Sequence, residues 1–285
     1  MKADCHMHMI LDGYDWRQAI QRHDPQPDDA FIHRMLAIWQ EKGYTYLRDG
    51  GDRWSAGKRA RELAPMYGIT YVTPLAPLCR EGHYGAFIGK TYRNTKEYAA
   101  LVQAQKAEGA DFIKIMISGL MDFDHFGLLT EEGQDPREIK ELIHIAHEEG
   151  MAVMAHATGA RPVEAAAAAG VNSVEHGAYL DGDALHAMEE AGTVWVPTLS
   201  AVGNLLGKGR FPDKETSRIL ESALYNLSCY QGLVACGTDA GAWAVPHGSE
   251  TEADLLARGG ITQARYEQGN RVIIETFRTA SFSLL

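Results

Sequence analysis

The sequence predicts a closed (β/α)8 barrel, and three observations carry that prediction. Short apolar, β-rich runs alternate with helical segments along the chain. Most of the helices end at a glycine directly before the next strand. Eight such units fit into 285 residues, the usual size of this fold. The strand runs are Thr45–Leu47, Thr70–Leu75, Phe112–Ile117, Ala152–Ala155, Ser173–Glu175, Thr193–Pro197 and Leu233–Cys236, preceded by an opening strand that ends near His8. Between them lie the helical spans Asp29–Lys42, Gly57–Tyr67, Asn94–Glu108, Asp135–Glu149, Pro162–Ala169, Asp181–Ala191 and Asp213–Tyr230. Their junctions read EKG-YTYL, MYG-ITYV, AEG-ADFIKI, EEG-MAVMA, AAG-VNSV and EAG-TVWV. Glycine there supplies the left-handed residue that stops a helix and turns the chain back. The competing arrangement is an open, doubly wound sheet. No G-x-G-x-x-G or G-x-x-x-x-G-K-[ST] follows the first strand, so a nucleotide at a switch point loses its usual support. No linker or composition break divides the chain, and residues 1–285 are expected to form one domain.

Composition narrows the function. Hydrophobic residues make up 45% of the chain and charged residues 23%, enough for a substantial core. Lys and Arg total 27 against 38 Asp and Glu, a formal charge of -11 with no basic run to offset it. That balance argues against phosphate backbones and anionic membranes as partners. No stretch approaches the roughly 18 apolar residues of a membrane span, and the opening MKADCHMHMI lacks the apolar run of a signal peptide. Cys5, Cys79, Cys229 and Cys236 show no C-x-x-C spacing, which fits a reducing cytoplasm. The expectation is a cytoplasmic enzyme with a small-molecule substrate and no nucleic-acid or membrane partner; assembly into a homo-oligomer stays open.

In a barrel the active site lies at the carboxyl ends of the strands, so the residues that fall there matter most. The first strand ends in His6-Met7-His8, and alternation lets the two imidazoles converge while Met7 faces away. That pair alone is a weak signal. The fourth strand carries Lys114 inside the apolar run Phe112–Ile117, where an unpaired ammonium is costly to bury. The fifth ends at His156, the sixth at His176 and the eighth at Asp239. Packing does not account for four imidazoles, an amine and a carboxylate at strand mouths. Neutral histidines with carboxylates are what zinc and related divalent ions bind.

These residues stand in strings that resemble the amidohydrolase superfamily of metal-dependent barrel hydrolases. The matching pieces are Asp4-Cys5-His6-Met7-His8, Arg48-Asp49-Gly50-Gly51, Lys114, His156, Glu175-His176-Gly177 and Gly237-Thr238-Asp239, in family order from end to end. The resemblance implies that Lys114 is carboxylated by CO2 and bridges two divalent ions, expected to be zinc. It assigns His6, His8, Lys114 and Asp239 to one ion and Lys114, His156 and His176 to the other. Carboxylation would also remove the burial problem of the lysine. The nucleobase deaminase relatives lack this lysine and carry a Glu a few residues beyond the strand-five histidine, where this chain has Ala157-Thr158-Gly159-Ala160-Arg161. The strings look most like the imidazolonepropionase and prolidase branch. One departure is expected: only five residues precede His6 and the tail fits terminal helices, so that branch's accessory β-sandwich is predicted to be absent.

The implied activity is hydrolysis of an amide or related C–N bond in an N-acyl amino acid, dipeptide or cyclic amide. A metal-bridging hydroxide would attack, with Asp239 as general acid and base. Lactone, ester or phosphotriester hydrolysis on the same two ions is the alternative, and a non-catalytic metal-binding barrel is a third reading, against which the intact ligand set argues. Gly82-His83-Tyr84-Gly85 resembles a Gly-Gly-His loop of prolidase-like relatives, which makes His83 and Tyr84 substrate-binding candidates, with Tyr179 a third at the mouth. His125 and His247 are placed in mouth loops, His144, His147 and His186 on solvated helix faces, and Cys5 in the core. Arg48 and Asp49 either support the ligands or form an interior ion pair. Gly203–Gly209 reads as a loop and a candidate lid.

Overall fold

The computed structural model describes residues 2–277. Strands and helices alternate along the chain: β1 (Lys2–Met7), α1 (Trp16–Arg22), α2 (Asp29–Glu41), β2 (Tyr44–Asp49), α3 (Ala56–Leu63) with a 3-10 turn over Ala64–Tyr67, β3 (Thr70–Val72), β4 (Leu78–Arg80) and β5 (Lys90–Tyr92). They continue as α4 (Thr95–Ala107), β6 (Ile113–Met116), α5 (Pro136–Glu148), β7 (Val153–Ala157), α6 (Ala160–Ala168), β8 (Ser173–His176), α7 (Gly182–Ala191), β9 (Val194–Val196) and α8 (Ser200–Gly203). The chain then runs through α9 (Asp213–Cys229), α10 (Thr251–Arg258) and α11 (Gln263–Thr276). The predicted helix-ending glycines all take the left-handed conformation: Gly43, Gly68, Gly109, Gly150, Gly170 and Gly192 lie at φ between 66° and 84°. Side-chain caps fix the opposite ends. Asp28 accepts from Phe31 N, Asn94 from Glu97 N and Asp181 from Ala184 N, which pairs backbone donors the first helical turn leaves free.

Every pairing between named strands is parallel. The sheet falls into two pieces, β1-β2-β3 and β5-β4-β6-β7-β8-β9. Their first junction is the predicted strand Thr70–Leu75, which regular pairing abandons after Val72. Thr73 still bonds the next barrel position, through Thr73 N to Asp111 Oδ2 (2.9 Å) and Asp111 N to Thr73 O (3.0 Å). Pro74 and Pro77 then lack the N–H a ladder needs, and Leu75 turns to φ 67°. The strand resumes as β4, pairing Leu78 with Ile115. The second junction closes the ring. The predicted last strand, Leu233–Cys236, has sheet bonding without regular strand geometry: Ala235 N donates to Trp195 O (2.9 Å) and Cys5 N to Cys236 O (2.9 Å). Further on, Asp239 N donates to His6 O (2.7 Å) and His8 N to Ala240 O (2.7 Å).

Beneath the carboxyl ends of the strands, Ala3, Cys5, Tyr46, Val72, Phe112, Met154, Val194, Val196 and Ala235 pack into one buried apolar layer, covered from below by Ile273 and Phe277. That layer gives the site a closely packed apolar floor. No helix of the described residues is long and apolar enough to cross a membrane.

Candidate metal centre

The six predicted ligand residues come together. His6, His8, Lys114, His156, His176 and Asp239 all line one cavity of about 700 Å³ at the carboxyl ends of the strands. His6 and His8 come from β1 and its end, Lys114 from β6, His156 from β7, His176 from β8, and Asp239 from the closing segment. His6 Nε2 and His8 Nε2 lie 3.3 Å apart, and each is 3.5 Å from Asp239 Oδ1. The His176 ring bridges the set, with centroids 5.1 Å from His6 and 4.5 Å from His156. His176 and Asp239 sit at positive φ, 69° and 58°, a strained setting that surrounding packing must hold in place.

Hydrogen bonds behind the rings decide which nitrogens face the cavity. His6 Nδ1 donates to Glu175 Oε2 at 2.7 Å, so its Nε2 lone pair is turned toward Asp239. His156 Nε2 donates to Gly119 O at 3.2 Å, which frees Nδ1. His176 Nδ1 is bonded to Thr198 Oγ1 at 2.7 Å. Partners of this kind fix the orientation and tautomer of a metal-binding imidazole. Glu175 is itself held by the Arg48 guanidinium (2.9 Å) and the Ser173 hydroxyl (2.5 Å), with both members of the ion pair fully buried. Arg48 therefore does both things the sequence left open: it forms an interior ion pair, and through Glu175 it supports His6. Asp49 instead accepts from Thr73 Oγ1 (2.9 Å) and Met9 N (3.3 Å).

The electrostatics suit a divalent cation. Burial pushes His8 and His156 down to about 3 and holds His6 and His176 well below the ordinary histidine range, so all four rings are neutral. Burial raises Asp239 to about 8 and lowers Lys114 to about 8. Within the cluster, two buried nitrogens have no hydrogen-bond partner, Lys114 Nζ and His8 Nδ1. Orphaned polar atoms are costly, and a cationic centre among neutral imidazoles and a carboxylate is the group such a donor set fits.

The other candidates are placed differently. Tyr84 lines the cavity, its ring 4.9 Å from that of His156. His83, its neighbour, turns to Glu131 (3.1 Å) and is not among the lining residues. Tyr179 also stays out of the lining and packs edge-on against Phe126. His247 is buried away from the mouth: Trp39 Nε1 donates to its Nδ1 (3.3 Å), and its Nε2 donates to Leu11 O (2.9 Å). His125 pairs with Asp122, while His144 and His186 form exposed pairs with Glu148 and Glu190. His147 is half-buried against Asn172 rather than solvated. Gly203–Gly209 begins at the end of the short helix α8, and Leu205 from it reaches the cavity. Sequence reasoning missed the aromatic wall of Trp16, Phe87, Phe123, Phe211 and Trp243, which loops far apart in the chain bring together. It also gave Glu175 no role, although a carboxylate and an arginine on two core strands were a readable sign of an internal pair.

The Amidohydrolase family model matches residues 4–241, from β1 through the closing segment. The chain belongs to the amidohydrolase family. Members of this family generally use divalent metal ions, and the six-residue cluster lies inside the matched span. The amidohydrolase chain is 27% identical to an ochratoxinase of Aspergillus niger over 91% of its own length, and it spans 61% of the length of that relative. Among solved structures it superposes on a Xaa-Pro dipeptidase with a TM-score of 0.77 at 21% identity, covering 98% of this chain and 77% of that one. It superposes on the A. niger ochratoxinase with a TM-score of 0.71 at 22% identity, covering 95% and 68%. Likeness at that identity establishes the amidohydrolase barrel.

Proposed function

We propose that this amidohydrolase cleaves an amide or related C–N bond in a small molecule such as an N-acyl amino acid, a dipeptide or a cyclic amide. The observation that carries the reading is the convergence of six ligand-type side chains on one cavity floor, with imidazole nitrogens left free toward its centre. The names of the relatives, an ochratoxinase and a Xaa-Pro dipeptidase, support the same class.

In this reading His6, His8, Lys114 and Asp239 would hold one zinc ion, and Lys114, His156 and His176 would hold a second. Lys114 is carboxylated: its neutral amine adds CO2 and releases a proton, so the partnerless Nζ becomes an anionic group with ligand oxygens. When bound, the two ions supply Lewis acidity toward the substrate carbonyl and acidify water. Asp239 accepts the proton of the attacking water at a carboxylate oxygen and returns it to the leaving nitrogen. Glu175 keeps the His6 proton on Nδ1, and the Tyr84 ring beside His156 narrows the floor.

Elemental analysis after zinc-supplemented expression, followed by a panel of N-acyl amino acids, dipeptides and lactones, tests this directly. The expected result is close to two ions per chain, amide turnover, and a loss of about 10²–10⁴ in kcat for Asp239→Asn. Turnover of lactones alone would move the assignment to ester chemistry. Two bound ions with no turnover anywhere on the panel would refute the amide assignment.

A further inference from the structure

Among the described residues lining the cavity, the lysine and arginine side chains are Lys114 on the floor and Arg210 at the mouth. Lys114 belongs to the proposed metal centre; Arg210 does not. Of the arginines that flank the site without lining it, Arg22 pairs with Asp12 (3.2 Å), Arg80 with Glu138 (2.6 Å) and Arg218 with Glu215 (2.9 Å), while Arg17 lies over the Trp16 ring (4.2 Å). Arg210 has no carboxylate partner among the described residues. It lies over two aromatic faces instead, 4.6 Å from the Trp243 ring centroid and 5.4 Å from that of Phe211. Phe211 is stacked in turn on Phe123, at 4.8 Å and 26°. Elsewhere in the lining, Trp16 meets Phe87 edge-on at 5.4 Å.

Aromatic faces hold a guanidinium in position and displace water from its flat sides, while its N–H edge stays free for a fork-shaped contact with a carboxylate. The acids nearby do not fill that role. Asp122 accepts from His125 Nδ1 and from two backbone N–H groups, and Asp124 is solvent-exposed. A chain carrying -11 repels an anion at long range, so capture of one needs a local, unneutralised cation near the entrance. His83, turned to Glu131, is not that group.

We infer that Arg210 binds a carboxylate of the substrate at the mouth while the Trp16, Phe87, Phe123, Phe211 and Trp243 walls take a large apolar or aromatic group. The preferred substrates are then anionic amides with a bulky apolar flank. This rests on the proposed amide hydrolysis for its kinetic test, so a binding test that needs no turnover accompanies it.

The kinetic probes are N-(2-naphthoyl)-L-leucine and its neutral carboxamide, with zinc-loaded protein and its Arg210→Gln and Arg210→Lys variants. A charge-assisted contact at a solvent-facing site corresponds to about a tenfold effect. Arg210→Gln should raise KM for the acid about tenfold more than for the carboxamide, with kcat moving less and zinc content unchanged, and Arg210→Lys should fall between. The binding probe is N-(2-naphthylsulfonyl)-L-leucine, which has no scissile carbonyl, followed by quenching of Trp16 and Trp243 fluorescence. Its Kd should rise about tenfold in Arg210→Gln. Equal losses for acid and carboxamide, an unchanged Kd, or no binding at all would overturn the assignment of Arg210. Arg210-dependent binding without hydrolysis of any amide would sustain it and refute the amide reading instead.

Discussion

Glu175→Gln is the substitution that most sharply separates support of the metal centre from plain stability. The Glu175 carboxylate receives His6 Nδ1 (2.7 Å), the Ser173 hydroxyl (2.5 Å) and the Arg48 guanidinium at both oxygens (2.9 and 3.0 Å). Glutamine has the same shape but one accepting oxygen, and its NH2 must face either Arg48 or His6, both donors. The guanidinium, fully buried, also loses its counter-charge. Removing one partner of a buried pair costs about 3–5 kcal/mol, and removing the carboxylate behind a ligating histidine costs about 10–100-fold in metal affinity. Urea denaturation of metal-free protein reads the first quantity, and zinc competition against a chelator reads the second. Adding Arg48→Met removes the stranded charge, so the double variant should recover most of the stability while zinc affinity stays low. A stability change under about 1 kcal/mol in Glu175→Gln, where 3–5 is expected, would refute the reasoning. So would zinc affinity that recovers in step with stability.

Two further outcomes follow from single positions. A Cβ added at Gly50 would lie inside the contact distance of the His8 ring, so Gly50→Ala should displace that ring and lower zinc affinity at least about tenfold; Gly182→Ala, with open space around its Cβ, should not, and unchanged zinc binding in Gly50→Ala would contradict the placement of His8. Burial lowers His247 to about 4, so the unfolded chain takes up its proton first as pH falls, and the native state loses stability below about 6.5. Between pH 7.5 and 5 that linkage is about 2 kcal/mol, so in denaturation midpoints wild type should lose about 2 kcal/mol more than His247→Gln, the other buried histidines weighing equally on both.

The barrel and its ligand cluster were legible because both are written in short-range signals. A helix that must stop and reverse needs a left-handed residue, and six glycines mark those points. A residue at a strand mouth is placed by locating the strand, as His156 and His176 show. What was illegible depends on loops. The interruption at Pro74–Pro77 looked like the end of a strand, because nothing local shows that Leu78–Arg80 resumes the same barrel position. β5 and α1 lie outside the repeating unit that guided the reading. His83 followed motif resemblance, which does not reveal that Glu131, distant in sequence, faces its ring. Arg210 and the aromatic wall come from segments between residues 16 and 243, and no periodicity links them.

The two breaks in the sheet place unusual weight on the barrel's interior. His6 and Arg48 belong to the β1-β2-β3 piece, and Ser173 and Glu175 to the other. Around the circumference these pieces meet, among the described residues, through irregular seams at Thr73 and at the closing segment. Across the diameter they are braced by Arg48 reaching Ser173 (2.8 Å) and Glu175, with His6 bonded to the same carboxylate. The spacing between the candidate ligands on opposite walls is therefore set by a crossbeam rather than by a continuous hoop. Any loosening of that beam would let the two walls slide, and His6 and His8 would drift from Lys114, His156 and His176 before a single helix melted.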